Sequence, residues 1–169
     1  MSKKEAPMWA SFIWQGSRRQ KKRSIISFLR SVPLFSSLSK RELLTLNSIA
    51  HLRTYQKDEF VFRKGQPGAA MFIIRSGEIN IVDPDPDSGE NVIATLGENS
   101  FFGELALLDD SARSASAKAV VNSEVYAFFR TDLERLLSSS PQIGLQVYRA
   151  LSIIIGTRLK STNEQLLNK

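Results

Sequence analysis

The spacing of the apolar side chains changes near residue 51, and this change constrains the fold more than any other feature of the chain. Before it, Leu43, Leu46 and Ile49 recur at helical spacing, whereas after it apolar and polar residues alternate in short runs typical of strands. Turn signals separate the runs, and the longest, Asp83–Gly89, predicts a polar hairpin tip. The predicted strands are residues 51–56, 59–63, 70–75, 78–82, 91–96, 114–120 and 124–130. Such a series predicts a mainly β fold with flanking helices, an antiparallel β-roll or jelly-roll barrel.

Helices are predicted on both sides of the strands. Ser39-Lys-Arg-Glu42 is a capping box that opens a helix to about residue 50, and Thr131-Asp-Leu-Glu134 opens a second, short one. Pro141 suits the first turn of a last helix that extends to Leu167, about 40 Å at 1.5 Å per residue. Its apolar stripe consists of Ile143, Val147, Leu151, Ile155 and Leu159. A small barrel cannot cover that length, so we expect a homodimer through this helix.

The positive charge of the chain is concentrated at its N-terminus. Residues 1–30 carry eight Lys or Arg residues against one Glu, a net +7, so the chain's +6 leaves −1 for the remainder. The sequence therefore predicts a basic, aromatic arm over 1–32, helical or flexible, a domain over 33–140 and a long helix over 141–169. Direct DNA binding is not expected, because it needs basic charge on the folded domain or on a recognisable reading element.

The arm itself fits several roles. Trp9 and Phe12 fall at helical spacing before a basic run, which suits weak contact of residues 8–30 with a membrane surface or a groove on a partner protein. A solvated tail, or salt-dependent binding of nucleic acid, remains open.

Composition excludes several chemistries. The chain has no Cys and one His, so disulfides and thiolate nucleophiles are excluded and no metal site is expected. No apolar run is long enough for a transmembrane helix. We expect a cytoplasmic protein, with peripheral contact at the inner membrane surface as a variant.

Residues 101–117 interrupt the strand pattern and carry the candidate chemistry. Gly103 permits close backbone approach, and the helical turn after it offers free N–H groups to an anion. Arg113 returns to the same place with a fork that matches a phosphate, and Glu104 can accept hydrogen bonds from sugar hydroxyls. Together with an apolar barrel wall, these groups describe a site for a nucleotide with one internal phosphate charge. No second catalytic group accompanies Glu104, so an enzyme is not expected.

This segment closely resembles the phosphate-binding cassette of the cyclic nucleotide-binding domain family. The matching residues are Phe102-Gly-Glu-Leu-Ala-Leu107 and Arg113-Ser-Ala-Ser116. The likeness extends to Pro33–Leu38 and to Gly65, Gly68 and Gly77, and covers roughly residues 30–168. A six-residue run with a correctly spaced second motif is a specific signal.

The resemblance implies a role for each matching residue. It places ribose and phosphate at Gly103, Glu104, Leu105, Ala106, Arg113, Ser114 and Ala115, with the amides of Ala106 and Ser114 on the phosphate. It places the base near Val82 and Ile93 and, by likeness to the long helix of catabolite activator proteins, near Arg158, Thr162 and Asn163. Arg158 has a simpler alternative as a solvated charge near the end of a helix. Thr162 favours cAMP over cGMP as the ligand, and no cofactor is implied.

The sequence therefore predicts a non-enzymatic sensor that binds a cyclic nucleotide and changes conformation through its last helix. No helix-turn-helix, kinase or channel effector is recognisable in the chain, so we expect the signal to pass to an unidentified partner protein. A cassette that folds but binds nothing, and so acts as a ligand-free scaffold for protein interactions, is the alternative.

Overall fold

The computed structural model describes residues 25–85 and 89–167 and consists of two four-stranded antiparallel sheets with helices at one side. One sheet has the order β1-β8-β3-β6 and the other β2-β7-β4-β5. The strands are β1 His51–Tyr55, β2 Phe60–Phe62, β3 Ala70–Ser76, β4 Ile79–Asp85, β5 Gly89–Leu96, β6 Phe101–Phe102, β7 Ser116–Ala119 and β8 Ser123–Phe129. The predicted β-roll is confirmed.

Strands β3 and β6 of the first sheet are buried on both faces, and strand alternation divides their side chains between two cores. In β3, Met71 and Ile73 join a core under the helices, while Phe72 and Ile74 join a core inside the roll. The two residues of β6 divide in the same way, with Phe101 under the helices and Phe102 inside the roll. These strands therefore separate the core under the helices from the core inside the roll.

Within the described residues, the helical layer has four helices: α1, described over residues 25–31, α2 Lys40–Asn47, α3 Arg130–Ser139 and α4 Pro141–Leu167. A short 3-10 turn, Pro33–Phe35, connects the first two. The capping box that opens α2 is confirmed, since Ser39 and Glu42 exchange side-chain and backbone hydrogen bonds. The predicted long last helix is confirmed and is described over Pro141–Leu167.

The described part of the predicted arm belongs to the folded unit. Leu29 and Val32 are fully buried in the helical core beside Leu43 of α2 and Leu151 of α4. Folding therefore includes the chain from at least residue 25. Residues 1–24, which carry the predicted aromatic and basic runs, lie outside the described residues, as does the tip of the β4–β5 hairpin at 86–88.

The second predicted capping box is wrong. The helix α3 begins at Arg130, so Thr131 is already inside it, and the preceding Phe129 makes no side-chain cap. Strand β8 leads directly into this helix, and the Arg130 N–H donates to the carbonyl of Ala69 at 2.9 Å. A main-chain acceptor therefore satisfies one of the free N–H groups that a capping side chain would otherwise serve.

Within the described ranges, we find no helix with the length and apolar character needed to cross a bilayer.

Candidate functional site

A cavity of about 550 Å³ opens where the roll, the segment after β6 and helix α4 meet. Its apolar wall includes Phe62 of β2, Ile81 of β4 and Leu96 of β5. Its polar groups come from Glu104, Arg113, Arg158 and three serines. A volume of this size, with an apolar wall and a few convergent polar groups, suits a small organic ligand.

Gly103 sets the geometry of the polar side of the cavity. It has a φ of 69° and immediately precedes a 3-10 turn, Glu104–Leu107. A Cβ atom at this position would lie 2.7 Å from Nη1 of Arg113. Both the left-handed backbone and the closeness of the guanidinium therefore require glycine. The N–H of Ala106 donates to the carbonyl of Gly103 at 3.3 Å, so the amide that the resemblance assigned to phosphate already has a protein acceptor.

Arg113 is the buried cation of the site, with 9% of its surface exposed. Its Nη1 donates to the carbonyl of Gly103 at 3.1 Å and its Nη2 to the carbonyl of Ala70 at 2.7 Å. Among the residues that the structure describes, none accepts a hydrogen bond from its buried Nε. A buried N–H of a charged group without an acceptor is costly, so this guanidinium retains an unmet demand for an anionic oxygen.

The glycine loop before β3 fixes the backbone of this arginine. The Arg113 N–H donates to the carbonyl of Gln66 at 2.8 Å, and the Gly65 N–H donates to the carbonyl of Arg113 at 2.8 Å. Gly68 lies so close that an added Cβ would stand 2.9 Å from the Cβ of Ala106. The loop therefore packs directly against both halves of the segment that carries the polar groups.

Helix α4 reaches the same site through Arg158. Its Nη1 donates to Oε1 of Glu104 at 2.5 Å, and its Nη2 donates to the carbonyl of Phe101 at 3.4 Å. The guanidinium also lies 4.7 Å from the centre of the Phe101 ring. The carboxylate on the rim of the cavity is thus tied to the last helix.

Burial dominates the electrostatics of Arg113. It lowers the pKa of the guanidinium, because desolvation penalises the charged form, and the nearby Glu104 carboxylate opposes this by raising the pKa. An arginine remains protonated in a protein despite such a shift. The site therefore presents a permanent positive charge that has lost much of its water.

A family model described as the cyclic nucleotide-binding domain matches residues 52–140, more than half of the chain and the whole of this polar segment. The chain belongs to the cyclic nucleotide-binding domain family. Residues 102–116 are the segment that resembles the phosphate-binding cassette of this family, and they are called the cassette below.

Relatives and solved structures agree with this assignment. The cyclic AMP receptor protein of Thermus thermophilus is 30% identical over 138 residues, which cover 82% of this chain and 62% of the relative. A cAMP-dependent protein kinase regulatory subunit of Emericella nidulans is 32% identical over 125 residues, which cover 74% and 30%. A cyclic nucleotide-binding domain from Methylobacillus flagellatus has a TM-score of 0.75 at 26% identity, over 88% of this chain and 83% of that one. The chain spans less than two thirds of both curated relatives.

The cavity brings together nine of the twelve residues that the sequence analysis assigned to the ligand. They are Gly103, Glu104, Leu105, Ala106, Arg113, Ser114, Ala115, Ile93 and Arg158. Asn163 is exposed and lies outside the cavity lining, and the side chain of Thr162 lies outside the described part of the structure.

Val82, which the resemblance assigned to the base, also lies outside the cavity lining. It is buried but does not line the cavity, whereas its neighbour Ile81 does. Successive side chains of a strand point to opposite faces, so the two cannot both face the ligand space. Ile79, two residues before Ile81, is buried in the core inside the roll, and Ile81 packs against the same core. Alternation from Ile79 therefore places Ile81, rather than Val82, on the inner face of the strand.

Sequence reasoning also missed Phe62, Phe101 and Ser161, which line the cavity from β2, β6 and α4. Phe60 and Phe62 occupy alternate positions of a predicted strand, so they share one face of it. Alternation does not show that this face lies beside the cassette. Ser161 lies one turn after Arg158, and this spacing was the available signal.

The Arg158–Glu104 pair predicts that one side chain holds the end of α4 on the cassette before any ligand binds. We expect Arg158→Gln to speed amide hydrogen exchange over residues 155–161 about fivefold, since a partly exposed ion pair contributes roughly 1 kcal/mol. Exchange measured by mass spectrometry on the ligand-free chain tests this. The exposed Arg149 of the same helix provides the control variant Arg149→Gln. Equal exchange rates in the two variants would contradict the contact.

Proposed function

We propose that this chain is a non-enzymatic sensor that binds cAMP, in preference to cGMP, and transmits the bound state to a partner protein. The observation that carries the proposal is the buried guanidinium of Arg113, whose Nε has no acceptor among the described residues, at a cavity that Glu104 also lines. A cyclic phosphodiester supplies the missing anionic oxygens with a single negative charge. Two relatives, a cyclic AMP receptor protein and a cAMP-dependent protein kinase regulatory subunit, support the choice of ligand.

In this proposal the polar groups divide the ligand between them. Arg113 and the amide of Ser114 hold the phosphate, and the amide of Ala106 joins them by leaving its 3.3 Å hydrogen bond to the carbonyl of Gly103. The second oxygen of the Glu104 carboxylate accepts from the ribose 2′-hydroxyl while the first keeps Arg158. Ile81 and Ile93 border the base. Because a carboxylate can accept several hydrogen bonds, the ribose and the last helix can share Glu104 without displacing one another.

Ligand binding at the cassette is transmitted to the helices through direct contacts between them. Tyr148 of α4 donates its hydroxyl to the carbonyl of Leu107 at 3.4 Å, and Arg130 at the start of α3 pairs with Asp110 of the cassette. A ligand that draws the cassette inward therefore pulls on both helices. It can shift them only by binding one arrangement more tightly, typically by about 1–3 kcal/mol of coupling.

Isothermal titration calorimetry of the full chain tests the ligand. We expect saturable heat with cAMP, weaker binding of cGMP, and much weaker binding of 5′-AMP, whose open phosphate carries more negative charge and no ring. The absence of heat from both cyclic nucleotides, in a chain whose circular dichroism shows it folded, would leave the ligand-free scaffold as the function. Stronger binding of cGMP than of cAMP would reverse the assigned preference alone.

The proposal extends to assembly and location. Ile153 and Leu159 of α4 are both more than half exposed, which fits a homodimer through this helix. A cytoplasmic location, with the basic arm in weak contact with a membrane surface, fits the sequence. Sedimentation equilibrium that finds only monomers at calorimetric concentrations, with and without cAMP, would rule out the homodimer.

A further inference from the structure

Three phenylalanine rings form a platform inside the roll, next to the cassette. Phe62, Phe72 and Phe102 come from β2, β3 and β6, so both sheets contribute. Their ring centres lie 5.8 Å apart for Phe62 and Phe72, 5.9 Å for Phe62 and Phe102, and 5.5 Å for Phe72 and Phe102. These separations are those of favourable aromatic pairs, so the platform is a rigid part of the interior.

The guanidinium of Arg113 lies on this platform. Its Cζ stands 4.0 Å from the centre of the Phe62 ring and 5.7 Å from that of Phe72. The first distance is well inside the range of a cation–π interaction, which is strongest where the cation has lost its water. Phe62 is therefore the principal ring against which the buried charge rests.

The remaining neighbours enclose the same group. The carbonyls of Gly103 and Ala70 accept from its two terminal nitrogens. A Cβ at Gly103 would meet Arg113 Nη1 at 2.7 Å and Cε1 of Phe62 at 3.4 Å, which shows how closely these three residues pack. Without the Phe62 ring, the guanidinium would keep its hydrogen bonds to the two carbonyls but would lose its closest aromatic contact.

We infer that Phe62 is a positioning residue, which holds the Arg113 guanidinium in place for the ligand phosphate by stacking against it. The inference rests on the proposed function, because it concerns how the same site presents its charge. Phe62 also lines the cavity, so the test must separate stacking from simple apolar contact with the ligand.

The chain contains a matched control on the same strand. Phe60 of β2 carries the guanidinium of Arg63 with Cζ 3.6 Å from its ring centre, and Phe60 is not among the residues that line the cavity. Phe60→Leu therefore removes the ring that contacts an exposed Arg63 and also Lys118, on the same strand but away from the cavity lining. Phe62→Leu removes the ring but keeps an apolar side chain, and Phe62→Tyr keeps the ring.

We expect Phe62→Leu to raise the Kd for cAMP about 5- to 30-fold, in line with the strength of a desolvated cation–π pair. Phe62→Tyr should stay within about threefold of the unaltered chain, and Phe60→Leu within about twofold. Thermal unfolding of each variant checks that it is folded. Equal affinities for the Phe62→Leu and Phe62→Tyr variants would overturn the inference. Both variants keep a side chain that contacts the cavity, but only Phe62→Tyr keeps an aromatic ring under the guanidinium.

A measurement without nucleotide separates this inference from the proposed function. In the ligand-free chain, the Nε–H signal of Arg113 in a ¹⁵N NMR spectrum, assigned with Arg113→Gln, should be shifted by the ring and protected from exchange. We expect both properties in Phe62→Tyr and their loss in Phe62→Leu. A chain that binds no cyclic nucleotide but shows this pattern would contradict the proposed function alone. An unshifted signal in the unaltered chain would contradict the stacking alone.

Discussion

Arg113→Ala is expected to raise the Kd for cAMP by at least about 100-fold, the largest effect on binding of any single substitution considered. A hydrogen bond to a charged group contributes about 1.5–3 kcal/mol, and a guanidinium fork makes two or more such bonds to a phosphate. The main chain of the cassette remains in the variant, but its amides carry no net charge. Calorimetry with cAMP gives the affinity.

Two variants make this result specific. Arg113→Lys keeps the charge but loses the fork, so its affinity should fall between those of the unaltered chain and Arg113→Ala. Arg63→Ala removes an exposed arginine just after β2 and should leave the Kd within about twofold, because an exposed charge outside the cavity is screened. If Arg113→Ala bound cAMP as tightly as Arg63→Ala, the phosphate would not lie on this guanidinium.

Gly77→Ala is expected to cause the largest loss of stability, about 2–5 kcal/mol in the free energy of unfolding measured with urea. Gly77 lies in the turn between β3 and β4 with a φ of 93°. A Cβ there would stand 2.2 Å from Oγ and 2.8 Å from Cα of Ser123, the first residue of β8. The substitution thus adds a collision with backbone to the cost of a left-handed residue.

Gly65 separates these two causes. Its φ is 83°, but a Cβ would meet nothing within 4 Å. Gly65→Ala should therefore cost only about 1–2 kcal/mol, the price of the backbone conformation alone. If the two variants lost equal stability, the close approach of Gly77 to β8 would contribute nothing to the change in the free energy of unfolding.

The sequence alone determined the class of fold and most of the cassette. Strand alternation, a capping box at Ser39 and a proline at residue 141 are local features, so their consequences for β-strands and helices could be predicted without tertiary information. The cassette was recognisable because Gly103, Glu104 and Arg113 fall at fixed spacing within one short segment. Their close approach follows from the path of that segment.

Only the tertiary structure decided what comes from elsewhere in the chain. Phe62 lies fifty-one positions before Arg113 in the sequence, and the contact of Arg158 with Glu104 depends on the direction in which α4 crosses the cassette. The start of α3 was misplaced because a carbonyl from Ala69, rather than a local side chain, serves its first N–H. Local periodicity specifies which face of an element is apolar, but long-range packing decides what that face meets.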